Sequence, residues 1–91
     1  MGGARVFRVA VQKGDLNVAT LKLVKTDYFE VIETGERSGK PYVNTWPLTR
    51  KGEVDSLLSS KYRLSRIQID VLWATGAEIP LQVGQALGPQ R

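Results

Sequence analysis

Along this chain the apolar positions recur every second residue, shift once to every third or fourth, and then return to alternation. Residues 4–11, "ARVFRVAV", set Arg5, Phe7, Val9 and Val11 against Val6, Arg8 and Ala10, a pattern that predicts a strand. Residues 16–25, "LNVATLKLVK", predict a second, with Ala19, Leu21 and Leu23 on one face and Lys22 on the other. Leu16, Ala19 and Leu23 also fit helical spacing, but the "KGD" turn before them favours a hairpin with the first strand. "YFEVIET", residues 28–34, predicts a third strand, and "GERSGK", which has no large apolar group, an exposed turn. "PYVNTWPL", residues 41–48, predicts a fourth strand pairing back on the third. Pro41 and Pro47 cannot donate to a ladder, which puts this strand at a sheet edge.

In "TRKGEVDSLLSSKY" the period changes: Val54, Leu57 and Leu58 fall at i, i+3, i+4 and predict a short helix near 53–61. Glu53 and Asp55 lie in its first turn and Lys61 in its last, the order that the helix dipole favours. Residues 63–73, "RLSRIQIDVLW", alternate Ile67, Ile69, Val71 and Trp73 with Arg66, Gln68 and Asp70, which predicts a half-buried strand. Residues 74–83 predict a short final strand or arm, and 84–91 a flexible tail. The order β-β-β-β-α-β predicts an α+β fold: a curved antiparallel sheet of about five strands under one covering helix. Residues 1–91 make a single domain, with the folded part expected over 4–83.

The chain has no cysteine and no histidine, which removes disulfides, thiolate and imidazole metal sites, cysteine nucleophiles and histidine acid–base chemistry. The nine acids are scattered without the spacing of a calcium loop, so neither metal nor cofactor is expected. Glu30 and Glu33 alternate to opposite faces of one strand, unlike a glycosidase pair. Ser59 and Ser60 beside Lys61 carry no sign of a pocket, and "GERSGK" lacks the full phosphate-loop spacing. The chain is therefore not expected to be an enzyme. No window approaches the ~20 consecutive apolar residues of a membrane span, and the start lacks a secretory apolar stretch. A cytoplasmic protein without a membrane partner is the expectation.

Charge and aromatics point elsewhere. The net charge is +4, and its distribution is uneven: residues 1–25 are basic, 26–39 acidic and 40–52 basic again. Trp73 and Phe7 continue apolar rows and are expected in the core, while the adjacent Tyr28 and Phe29 point to opposite faces. Tyr42 and Trp46 share a face with Asn44 between them. An amide in an aromatic row needs a partner for each of its groups inside a core, whereas on an open face bases stack on the rings and the amide bonds an edge. Arg8, Lys22 and Arg66 each lie opposite the most apolar row of their strand, so the expectation is that they converge with Tyr42, Asn44 and Trp46 on one surface. Lys40, Arg50 and Lys51 would border it at the strand ends. This predicts a binder of single-stranded DNA, or RNA, with little sequence preference. The alternative is that the ring row forms a homodimer seam or docks a protein partner.

Four strands (4–11, 16–25, 28–34, 41–48) followed by a helix near 53–61 resemble the transcription-coactivator type of single-stranded DNA-binding domain. In that type, too, a basic segment like Thr49 to Gly52, "TRKG", joins the last strand to the helix. The additional strand at 63–73 departs from its pattern. The small size, basic balance and aromatic-lined sheet are also similar to the ThermoDBP-related single-stranded DNA-binding proteins of hyperthermophilic archaea. Either resemblance implies stacking by Tyr42 and Trp46 and phosphate contact by Arg50 and Lys51.

Overall fold

The computed structural model describes residues 19–90. Within it, β1 (Ala19–Lys25), β2 (Phe29–Arg37) and β3 (Lys40–Leu48) form an antiparallel meander, followed by α1 (Lys51–Ser60), α2 (Arg66–Thr75) and the short β4 (Ile79–Leu81). The strand order is β3-β2-β1-β4, because the chain returns after α2 to pair Ile79–Leu81 with Leu21–Ala19. The α+β class and the antiparallel sheet are as expected. The strand expected at 4–11, with Arg8, lies outside the described residues.

Register follows from one tight turn. Ser38 and Gly39 both take positive φ (54° and 80°), the two-residue type I′ geometry whose twist matches the flanking strands. Arg37 therefore faces Lys40, and counting back along the ladder puts Glu33 opposite Asn44 and Val31 opposite Trp46. The expected turn over "GERSGK" shrinks to these two residues, and β2 and β3 run longer than their apolar content indicated.

Both helices cover one face of the sheet, α1 against β2 and β3, α2 against β1. The core between them is built from Ala19, Leu21, Leu23 and Val31 of the sheet and Val54, Leu57, Leu58, Tyr62, Leu64, Ile69 and Leu72 of the helical layer. Full burial of a side chain such as Leu21, Leu58 or Leu72 contributes about 1.5–3 kcal/mol each. Phe29, Trp46, Leu48 and Trp73 pack around its margin. Tyr28 is exposed, which assigns the core side of that pair to Phe29.

Residues 66–75 are a helix, a correction to the strand expected at 63–73. Ser65 Oγ accepts from the Gln68 amide (3.2 Å) while the Gln68 side chain accepts from the Ser65 amide (2.9 Å), a reciprocal capping box. Gly76, at φ 68°, closes the other end in the left-handed conformation. The inward residues are Ile69, Leu72 and Trp73, at i, i+3, i+4, so helical spacing prevails over the alternation of Ile67, Ile69 and Val71. Ile67 is left 75 % exposed. The sheet thus has four strands among the described residues, with two covering helices in place of one.

The segment expected to be a free tail is tied down. Ala86 and Leu87 pack against the core, and Gly88 is buried against Glu33 and Asn44 in the middle of β2 and β3. At Gly88 the φ of 78° favours glycine, and a Cβ there would have to displace the Arg37 guanidinium.

Candidate functional site

Counting by twos along β3 turns Tyr42, Asn44 and Trp46 to the helix side of the sheet, and there they meet Glu33. This carboxylate is fully buried and has no cation paired to it; the ion pair found among the described residues is Arg66–Asp70. Five donors take the place of a counter-ion. Asn44 Nδ2 (3.0 Å) and the Tyr62 hydroxyl (2.9 Å) donate to Oε1. The Tyr42 hydroxyl (2.6 Å) and the backbone amides of Leu87 (3.0 Å) and Gly88 (3.2 Å) donate to Oε2. A buried charge is tolerable when its lone pairs are matched in this way.

The network extends outward in two directions. Asn44 Nδ2 also donates to the Gly88 carbonyl (2.7 Å), fixing residues 87–88 across the β3 side of the sheet. Trp46 Nε1 donates to the Tyr62 hydroxyl (2.9 Å), which passes its own proton toward Glu33. Asn44 is 7 % exposed, a correction to the open amide that the sequence suggested. Its need for partners inside a core is met by Glu33 and Gly88. Tyr42 and Trp46 are half-buried, each with its polar atom engaged.

Burial, then the hydrogen bond to Glu33 and the negative charge of that carboxylate, raise the Tyr42 hydroxyl from 10.0 to about 12. Burial, above all, and the same carboxylate raise Tyr62 as well. Both hydroxyls donate to Glu33 only while protonated. For Tyr42 this stabilisation is whole below pH 10, where tyrosine of the unfolded chain stays neutral, and is lost as pH climbs toward 12, while the fully buried Tyr62 holds its proton longer. An alkaline titration should therefore show the tyrosinate absorbance of these two residues rising together with the loss of folded tryptophan fluorescence. Ionisation complete before any change in fluorescence would contradict the network.

The cations expected beside the rings scatter. Lys22 aligns with Ile32 and Thr45 on the face opposite the helices, because Leu21 and Leu23 take the helix side of β1. Arg66 belongs to α2 and pairs with Asp70 one turn on (2.8 Å). Lys40 stands exposed where β3 leaves the hairpin, and Arg50 occupies the position before α1, where its amide donates to Glu53 (3.3 Å). The expected convergence of Lys22 and Arg66 on the ring row is not found.

Other cations do meet rings. Lys61, just past α1, holds its ammonium 5.7 Å from the Trp46 ring centre. Lys51 and Lys25 stand 5.1 and 5.9 Å from that of Trp73. Trp73 is also braced by Phe29 edge-to-face and by its own Nε1, which donates to Asp55 (2.7 Å). Beside Trp46 a cleft of about 360 Å³ opens along β3, lined by Val43, Asn44, Thr45, Trp46 and Gln90. Sequence reasoning missed Glu33, Tyr62 and Lys61. The signal for Glu33 was its phase, since it continues the inward row of Phe29 and Val31. Among the described residues no cluster of acids is placed to hold a metal, and no helix is long and apolar enough to cross a membrane. Comparison with protein families, with curated proteins and with solved structures finds no match to this chain.

Proposed function

We propose that this protein is a non-catalytic binder of single-stranded nucleic acid, and that its contact surface is the rim of the helix–sheet layer around Trp46. The reading rests on one observation: a half-exposed indole under the Lys61 ammonium borders an open cleft. Base stacking on such a ring is indifferent to base identity, and a lysine at the ring is placed for the phosphate that follows. Asn44, with its amide spent on Glu33 and Gly88, becomes a structural residue, and so does Tyr42. Arg50 and Lys51 remain phosphate contacts of the proposal at the start of α1, and Lys40 at the far end of β3. Much of the basic excess is local: residues 19–90 hold nine cations and eight acids, residues 1–18 three cations and one acid. Charge on the N-terminal segment therefore belongs to the interface in this reading.

Lys61→Ala tests the assignment, because Lys61 is exposed and its removal leaves the core intact. The slope of log affinity against log salt for a thymidine oligomer should shrink by roughly 0.7, the share of one phosphate contact on a single strand. An unchanged slope removes Lys61 from the interface.

A second reading, self-association, is favoured by α2. Ile67 and Val71, one turn apart, are exposed on its outer side beside the Arg66–Asp70 pair. The ring row that sequence alone offered as a dimer seam is turned inward. A sedimentation coefficient that rises with concentration, abolished in Ile67→Lys, is the signature of this reading.

A further inference from the structure

The outer edge of β3 turns a short row of backbone groups away from the sheet. In a type I′ hairpin the closing pair, here Arg37 and Lys40, is a hydrogen-bonded pair. The alternation of an antiparallel ladder then aims the backbone groups of Tyr42, Asn44 and Trp46 at β2, and those of Pro41, Val43, Thr45 and Pro47 away from it. Both prolines thus fall where a missing N–H removes no ladder bond. Between them, Val43 and Thr45 each turn an N–H and a C=O outward, and among the described residues no strand meets them.

These groups belong to the cleft beside Trp46, which Val43 and Thr45 line together with Asn44 and Gln90. The side-chain N–H donors around it are committed. Asn44 Nδ2 serves Glu33 and Gly88, Trp46 Nε1 serves Tyr62, and Gln90 Nε2 serves the Leu87 and Gly88 carbonyls. Among the described residues, the backbone of Val43 and Thr45 therefore supplies the N–H groups that the cleft still offers.

A ligand for this edge has to be small and planar. A pairing strand runs about five to six residues, whereas Pro41 and Pro47 leave only the two residues between them with outward N–H groups. What one such residue offers is a donor beside an acceptor, the set that two opposed residues of a ladder exchange. The Watson–Crick edge of an unpaired base carries the same set: N3–H beside O4 in thymine, N1 beside the amino group in adenine. We infer that Thr45 binds the Watson–Crick edge of the base that stacks on Trp46, its N–H donating to the acceptor of the base and its C=O accepting from the donor. The inference rests on the single-strand reading above and deepens it. Trp46, the next residue, meets the face of that base from the helix side, with the Lys61 ammonium 5.7 Å from the ring. Every base has a donor beside an acceptor on this edge, so the contact holds across sequences. In a duplex the edge is already paired, so the same contact selects unpaired strands.

The test is a binding cycle on the full chain, read by fluorescence anisotropy of a labelled thymidine oligomer and of its N3-methylthymidine counterpart. The methyl group replaces the donor and leaves the ring face and the phosphates. Affinity for the methylated oligomer should be about tenfold lower. Thr45→Pro removes the outward N–H where, as at Pro41 and Pro47, no ladder bond is lost, and should weaken thymidine binding by a similar factor. In that variant the methyl group should cost about twofold at most, because both losses fall on one contact. Thr45→Ala keeps the N–H and should bind as the unmodified chain does. Slow exchange of the Leu21 and Leu58 amides reports in each variant that the core is folded. A methyl penalty of the same size in Thr45→Pro and in the unmodified chain overturns the inference, as does thymidine binding indifferent to both changes; the stacking reading stands in either case. Absence of any oligomer binding overturns both. Val43 and Thr45 amides already protected from exchange in the free chain would show a strand on this edge and overturn the inference too.

Discussion

Replacing Glu33 by glutamine should lower the folding free energy by about 3 kcal/mol. The carboxylate accepts five hydrogen bonds in a site with no exposure to water. Glutamine has the same shape but turns one acceptor into a donor. With its NH₂ toward Leu87 and Gly88 it opposes two backbone amides that cannot rotate. With its NH₂ toward the other side it opposes Asn44 Nδ2, which is also held by the Gly88 carbonyl. The Tyr62 hydroxyl can turn to accept, but the amides cannot, so at least one buried donor is orphaned either way. For a chain of this size the urea midpoint should fall by about 2 M. Tyr42→Phe removes a single donor at a half-buried position and should cost only about 1 kcal/mol. Equal midpoints for Glu33→Gln and the unmodified protein would contradict the network as the lock on the C-terminal residues.

Trp46→Ala should act twice. The indole packs against the core margin and its N–H is bonded to Tyr62, so truncation leaves a cavity and deprives that hydroxyl of its donor. A loss of about 3 kcal/mol in stability is expected. Single-strand affinity should fall as well, by about tenfold, the scale of one lost base stack. Trp46→Phe separates the two effects, since phenylalanine refills most of the cavity and still offers a ring. It should recover most of the affinity and lack only the hydrogen bond to Tyr62. Equal affinities for the alanine variant, under conditions where it is folded, and for the unmodified protein would take Trp46 out of the interface.

How far the sequence could be read depended on which of two periods ran longer. In β1 alternation competed with helical spacing and the turn before it favoured the strand, while the prolines of "PYVNTWPL" marked β3 as an edge strand, as it is among the described residues. Around α2 the two periods overlap, because Ile67, Ile69, Val71 and Trp73 satisfy a strand while Ile69, Leu72 and Trp73 satisfy a helix. The capping box of Ser65 and Gln68 and the terminal Gly76 carry the decision, and both are visible as residue types. The candidate site was legible as a row and misjudged as an environment. Asn44 between two rings suggests an open face until Glu33 is set opposite it, and that pairing needs the two-residue turn at Ser38–Gly39. The part played by residues 87–88 was not readable, since their backbone amides, and no side chain, make the contacts to Glu33.

The central claim is tested most directly by titrating the full chain into a labelled thymidine oligomer and into a duplex of equal length, each at two salt concentrations. The account predicts saturable binding of the single strand, weaker binding of the duplex, and an affinity that drops steeply as salt rises. No binding of the single strand at low salt, or equal affinity for both nucleic acids, would contradict it.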